Sequence, residues 1–248
     1  MCYYFITDQI FSVERVVDMN IQGLQKLTLL DYPGKMACII FTAGCNLRCP
    51  FCHNSALVIN PPNESEFSVD EILDFLKKRQ GILEGVVITG GEPLLQNDLE
   101  DFIVKIREIG YSVKLDTNGT FPDRLRNLID KGLLDYVAMD VKASPNGYPP
   151  SVGIGGYDVS KINESINLLL EGRVDYEFRT TVVREFHSIF DMKYLGEWLK
   201  GAKRHYLQAF KDSGELIGFG LSAVPKAEME EMRKIMLEYV DLCEIRGI

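Results

Sequence analysis

No apolar run in this 248-residue sequence approaches the roughly 18 residues that would cross a bilayer as a helix. Positive charge is also scarce: 27 Lys and Arg stand against 36 Asp and Glu, a formal net charge of -9. Contact with a phosphate backbone needs clustered cations, so these two shortages argue against nucleic acid as a partner and against a membrane-spanning role. Residues 2–17 begin apolar but are interrupted by Asp8, Glu14 and Arg15, and they lack the basic n-region and small-residue cleavage site of a secretory signal. A cytoplasmic protein is expected. What the sequence does have is a balance of 46% hydrophobic and 25% charged residues, enough to bury a full-sized core, which excludes a disordered tail.

From residue 36 onward one unit recurs: a short apolar or β-branched run, a loop, then a helical pattern of about three turns. The runs 36–43, 85–89, 111–116, 134–141, 176–183 and 205–210 are continuously apolar, as strands covered on both faces are. Between them the spacing predicts a helix over 69–80, where Ser68 and Glu71 make a capping box, and a second from Asn97 and Glu100 to Gly110. Further helices are predicted from Pro122 to Gly132, over about 160–171, after Ser188 and from near Pro225. The methionines of the last one read as core packing. Six such units without a linker predict an α/β fold, either an open sheet or a partial (β/α) barrel, and in both the chemistry gathers at the carboxyl ends of the strands. Residues 61–66 and the Gly- and Pro-rich stretch 143–157 read as surface loops. Residues 1–18 lie outside the repeat; an added edge strand and an alternative start at Met19 are both open.

Of the six cysteines, Cys2, Cys38 and Cys243 are solitary, while Cys45, Cys49 and Cys52 fall within eight residues directly after the first predicted strand. Neighbours this close, in a reducing compartment, point to metal rather than to disulfides. Three thiolates fill three corners only. A four-iron cubane held this way keeps one iron without a protein ligand, free to bind and polarise a small molecule. The alternative is zinc with His53 completing a Cys₃His set, which requires the adjacent Cys52 and His53 to reach one tetrahedral ion.

Other polar residues sit at predicted strand ends. Gly90 and Gly91 remove side chains where a ligand would approach the backbone, and Glu92 sets a carboxylate beside them; a plain turn is the bland reading. Asp116, Thr117 and Asn118 end the third strand, and Asp140 and Lys142 lie on the fourth, where a turn and a solvated ion pair compete with a site for a zwitterion. Arg179 is a charge inside an apolar strand, costly unless paired. His187 reads as a surface or capping histidine and is left out of the site.

Cys-x₃-Cys-x₂-Cys with Phe51 before its last cysteine is similar to the signature of the radical S-adenosylmethionine (SAM) enzymes. The run from Leu27 to Gly34, followed by Phe41-Thr42-Ala43-Gly44-Cys45, resembles the anaerobic ribonucleoside-triphosphate reductase activating proteins, and the likeness covers about residues 27–210. It implies a partial (β/α)₆ barrel over residues 28–248, with 1–27 as an N-terminal extension. It also implies a [4Fe-4S] cluster on Cys45, Cys49 and Cys52, whose open iron chelates SAM and whose electron splits it into methionine and a deoxyadenosyl radical. By the same likeness Phe51, His53, Gly90, Gly91, Glu92, Asp116, Thr117, Asn118, Asp140, Lys142 and Arg179 form the cofactor site. Glu92 would meet the methionine ammonium, Lys142 the carboxylate and Arg179 the ribose side, with a monovalent cation on Asp116, Thr117 and Asp140. The implied partners are a glycyl-radical enzyme as protein substrate and flavodoxin or ferredoxin as electron donor. Gln208 and Phe210 depart from activases of the pyruvate formate-lyase type, which bring a histidine there. A radical SAM enzyme for a small molecule, such as a carboxy-deazaguanine synthase, and a non-enzymatic metal module are the other readings.

Overall fold

The apolar runs are realised as strands of one sheet in the computed structural model, which describes residues 19–248. The sheet has eight strands hydrogen-bonded in chain order: β1 (Ile21–Thr28), β2 (Ala37–Thr42), β3 (Gly85–Gly90), β4 (Ser112–Thr117), β5 (Tyr136–Asp140), β6 (Asp175–Val182), β7 (His205–Ala209) and β8 (Cys243–Arg246). Only β1 runs antiparallel to its neighbour; β2 to β8 are parallel throughout. The order does not return from β8 to β1, so the sheet is open, the expected architecture of a partial barrel.

The helices are α1 (Ser55–Val58), α2 (Val69–Lys78), α3 (Leu99–Ile109), α4 (Pro122–Asp130), α5 (Tyr148–Val152), α6 (Ser160–Leu170), α7 (Ile189–Trp198) and α8 (Lys226–Met236). Capping fixes several starts. Ser68 and Glu71 form the predicted box at α2, and Ser188 forms another with Asp191 at α7. At α3 the N-cap position is Asp98 rather than Asn97, and Glu100 bonds across to Asn127 and Lys131 of the next unit. The main core lies between sheet and helices, where Ile40, Ile88, Leu115 and Phe178 meet Ile72, Phe102, Ile106 and Ile166. Met229, Met232 and Met236 of α8 are fully buried in it, as the stripe predicted.

Inside the curve of the sheet, Ala37, Ile39, Val87 and Tyr136 enclose Tyr32 from the loop before β2. A Cβ at Gly85 would stand 2.8 Å from the Tyr32 ring, so glycine there admits the plug that closes the amino-terminal end. The loop carrying Tyr32 is tied by Thr28, whose hydroxyl accepts from Leu30 N and Asp31 N at 3.2 Å.

Two expectations need correction. Residues 143–157 are a surface loop only at their end, where Gly153, Gly155 and Gly156 are exposed: before it lie a short 3₁₀ turn and α5, with Ala143, Ser144, Tyr148, Ser151 and Val152 buried and the Val152 carbonyl bonded to Arg48 N of the cysteine loop. Strands β1 and β8 were not anticipated. The choice posed for residues 1–18 lies outside the described residues. No helix among the described residues is long and apolar enough to cross a membrane.

Candidate functional site

At the carboxyl ends of the strands a cavity of about 210 Å³ is lined by Cys45, Cys49, Cys52, Phe51, His53, Gly90, Gly91, Asp116, Thr117, Asn118, Asp140, Lys142 and Arg179. Local sequence explains each placement. β2 ends at Thr42 and releases the chain into the cysteine loop, whose turn Gly44 makes with φ +84°. Gly91 lies against that turn, where a Cβ would overlap the Gly44 carbonyl oxygen, and Gly90 (φ +123°) leaves no room for one beside Thr42. Asn54 then pins the far end of the loop by donating to the Gly90 carbonyl at 3.0 Å.

The charged residues form one ladder. Arg179 on β6 spans two strands, donating through its Nη1 to Asp116 at 3.0 Å and through its Nε to Asp140 at 2.8 Å. Lys142 reaches Asp140 at 3.0 Å, and Lys114 beneath pairs with Asp116. Burial alone would raise both carboxyls, but Arg179, with Lys142 beside Asp140 and Lys114 beside Asp116, holds them below the usual carboxylate range. Burial would likewise lower Lys142, and Asp140 overrides it and keeps the ammonium charged. Both carboxylates are met by cationic side chains.

Glu92 stands behind the cavity rather than lining it. It is fully buried and accepts from Asn118 N at 2.6 Å, Thr117 Oγ1 at 2.8 Å and Leu94 N at 3.1 Å. Burial pushes its carboxyl up to about 7 against those three donors, which favour the charged form. Its geometry is that of a brace for Thr117 and Asn118. His187 is neither on the surface nor a helix cap, since Ser188 caps α7: it is buried, its Nδ1 accepts from Val183 N at 3.0 Å and its Nε2 bonds the Lys142 carbonyl at 2.8 Å. Burial lowers its pKa, so it is neutral with the proton on Nε2.

Several residues at the site were not singled out. Lys114, which pairs with Asp116, is a charge inside an apolar strand, the signal that marked Arg179. Asn46 and Thr120, which bond each other at 2.9 Å, offered no signal beyond their place beside Cys45 and Asn118. Thr181 also lines the cavity and bonds, at 3.3 Å, Gln208, which the comparison with formate-lyase activases already picks out.

The profile of the radical SAM superfamily matches residues 39–187. The chain belongs to the radical SAM superfamily. It is 34% identical over 237 residues to a protein of Methanocaldococcus jannaschii that carries the name of a glycyl-radical enzyme activating enzyme, covering 92% of this chain and 96% of that one. A 7-carboxy-7-deazaguanine synthase of Methanopyrus kandleri is 33% identical over 150 residues, 53% of this chain and 57% of its own. Among solved structures, SuiB of Streptococcus suis with its precursor peptide superposes with a TM-score of 0.65 at 12% identity, over 84% of this chain and 48% of that chain, a likeness of fold. A domain of a pyruvate-formate lyase-activating enzyme of Bacteroides vulgatus matches with a TM-score of 0.52 at 17% identity, over 66% and 99%.

Membership makes this a radical SAM enzyme and implies a [4Fe-4S] cluster and SAM. The residues fit both. Three thiols share one wall of the cavity, and no three His, Cys, Asp or Glu among the described residues are arranged to hold a single ion. Ligands to different irons of a cluster need not converge on one point, whereas zinc would need His53 to join them, and its Nε2 bonds the Lys211 carbonyl at 2.8 Å. Burial pushes Cys49 up to about 12 and raises Cys45 and Cys52, so thiolates form here only against a cationic centre.

Proposed function

We propose that this chain is a glycyl-radical enzyme activating enzyme, with Cys45, Cys49 and Cys52 as the three cluster ligands and anaerobic ribonucleoside-triphosphate reductase as the protein substrate. The observation that carries the reading is the full-length match to the Methanocaldococcus jannaschii protein, which spans nearly all of both chains. When bound, the cluster and SAM supply one low-potential electron and the carbon–sulfur bond it breaks, and hence a carbon-centred radical that abstracts hydrogen.

The chain's own residues bind and orient. The Lys142 ammonium has three donors and gives one to Asp140, leaving two for a carboxylate of the ligand. Gly90 and Gly91 let an amino-acid end lie against backbone, while Glu92 holds Thr117 and Asn118 in place from behind. Arg179 keeps Asp116 and Asp140 ionised and faces the same cavity, on the side assigned to the ribose. An unclosed sheet leaves an approach for a peptide loop of another protein. Glycine suits the step because its Cα radical carries no side chain and is stabilised by both flanking amides. The electron donor is a flavodoxin or ferredoxin.

The test is direct. The dithionite-reduced, reconstituted protein should cleave SAM, and Cys45→Ala, Cys49→Ala and Cys52→Ala should each abolish cleavage; wild-type cleavage in any of them rejects the ligand set. Adding the candidate reductase should give a glycyl doublet in electron paramagnetic resonance. Its absence with a fully loaded cluster rejects the partner, and a modified small molecule from metabolite extract would favour the synthase-like reading.

A further inference from the structure

The sulfur of Cys45 faces two donors. Leu47 N lies 3.4 Å from it, and Nδ2 of Asn118, from the loop after β4, lies 3.7 Å away. The second contact is built from several directions. Asn118 Oδ1 accepts from Thr120 N at 3.0 Å and from Thr120 Oγ1 at 2.6 Å, so its amide nitrogen must point the other way. There it donates to Asn46 Oδ1 at 3.0 Å, and Asn46 Nδ2 closes the ring by donating to Thr120 Oγ1 at 2.9 Å. The Asn118 backbone is held by Glu92 from below. Flipping the amide would set donor against donor at Thr120 and acceptor against acceptor at Asn46. Asn118 and Thr120 are both buried, so water does not relieve the clash at Thr120 N, whatever it does at the exposed Asn46.

We infer that Asn118 is a positioning residue acting through Cys45: its Nδ2–H hydrogen-bonds the cysteine sulfur and raises the reduction potential of the cluster that this cysteine ligates. A donor on a ligating sulfur withdraws charge and favours the more negative, reduced state of the centre. The three-residue ring fixes the donor's direction, which a lone surface amide would not hold. The inference rests on Cys45 being a cluster ligand, and it turns Asn118 toward the metal rather than toward SAM.

The test uses the whole reconstituted chain without SAM and reads the midpoint potential by redox titration monitored by electron paramagnetic resonance. Asn118→Leu keeps the side-chain shape and removes the donor, so its potential should move to more negative values at unchanged iron and sulfide per chain. Thr120→Val removes one bond to Oδ1 and the acceptor of Asn46 Nδ2, but leaves the donor, its bond to Asn46 Oδ1 and the backbone N–H that orients the amide, so its shift should be smaller. An unshifted Asn118→Leu, or a Thr120→Val shift of equal size, overturns the inference. Where Asn118→Leu takes up no cluster, the wild type with ¹⁵N in its asparagine side chains decides instead: electron–nuclear double resonance should show a ¹⁵N coupling and a proton coupling lost in D₂O, and neither appearing overturns it. A wild type that binds no cluster overturns the ligand set and this inference together, whereas a loaded cluster indifferent to Asn118 overturns the inference alone.

Discussion

Glu92 and Arg179 solve the problem of buried charge in opposite ways. Arg179 meets two carboxylates and keeps them ionised, whereas Glu92 has no cation against it among the described residues and accepts from neutral donors. The consequence is a pH dependence with a definite sign. Because its folded pKa, about 7, lies above the ordinary 4.5, the native state holds a proton that the unfolded chain has lost. Stability from this group is therefore present at low pH and falls as pH rises from about 4.5 to about 7, by about 3 kcal/mol at 1.36 kcal/mol per unit. His187 and His205, which burial holds neutral, run the opposite way over part of that range, so the quantity to follow is the difference between wild type and Glu92→Gln. Urea unfolding of the metal-free protein should show that difference shrinking by about that amount between pH 5 and pH 8. A constant difference would mean the carboxylate is ionised throughout.

The cysteine loop owes its shape to α5 and to the tips of β2 and β3. Arg48 N donates to the Val152 carbonyl at 3.0 Å, and Gly153 follows in a left-handed conformation (φ +69°) with its Cα pressed on the Arg48 carbonyl, where a Cβ would overlap. Gly153→Ala adds about 1–2 kcal/mol of backbone strain to that overlap. It should at least halve the iron retained per chain after reconstitution while leaving the far-ultraviolet circular dichroism near wild type. Full iron content would mean the grip is dispensable. This contact was illegible in the sequence, because a stretch with glycines at 147, 153, 155 and 156 carries the composition of a loop whether it is buried or not. The six central strands were legible for the converse reason: burial on both faces forces a continuous apolar run, as Cys38-Ile39-Ile40-Phe41 and Val86-Val87-Ile88 show. Strand β8, only four residues with Glu244 and Arg246 among them, has no such signature. The rim residues Asp116, Asp140 and Lys142 could be placed because strand ends fix where a side chain emerges. Their pairing with Arg179 depends on how neighbouring strands are staggered, which one strand's sequence does not contain.

An open sheet has two edges, and the chain secures them differently. β1 is long, antiparallel to β2 and followed by the Tyr32 plug, whereas β8 is short and ends the parallel series. What ties β8 inward is Arg246, which reaches back over the Tyr206 ring and makes two bonds, of 2.8 and 3.0 Å, to Glu177 inside the curve. Glu177 is 1% exposed, and its remaining contact is the Tyr136 hydroxyl at 3.0 Å. Removing one member of a wholly buried pair costs roughly 3–5 kcal/mol; Arg246 is 37% exposed, so water screens part of that, and Arg246→Met should cost about 2 kcal/mol. The loss should also be local. Hydrogen exchange should show amides of β7 and β8 losing protection by more than the global change, because the outermost strand opens without the rest. Strands β2 to β5, which position the cysteine loop, Asp116 and Asp140, should lose only the global amount, and iron per chain should stay near wild type. Equal loss across all strands would mean that the edge does not open by itself. Unchanged stability would mean that the tie between Arg246 and Glu177 holds nothing that β7 does not already hold.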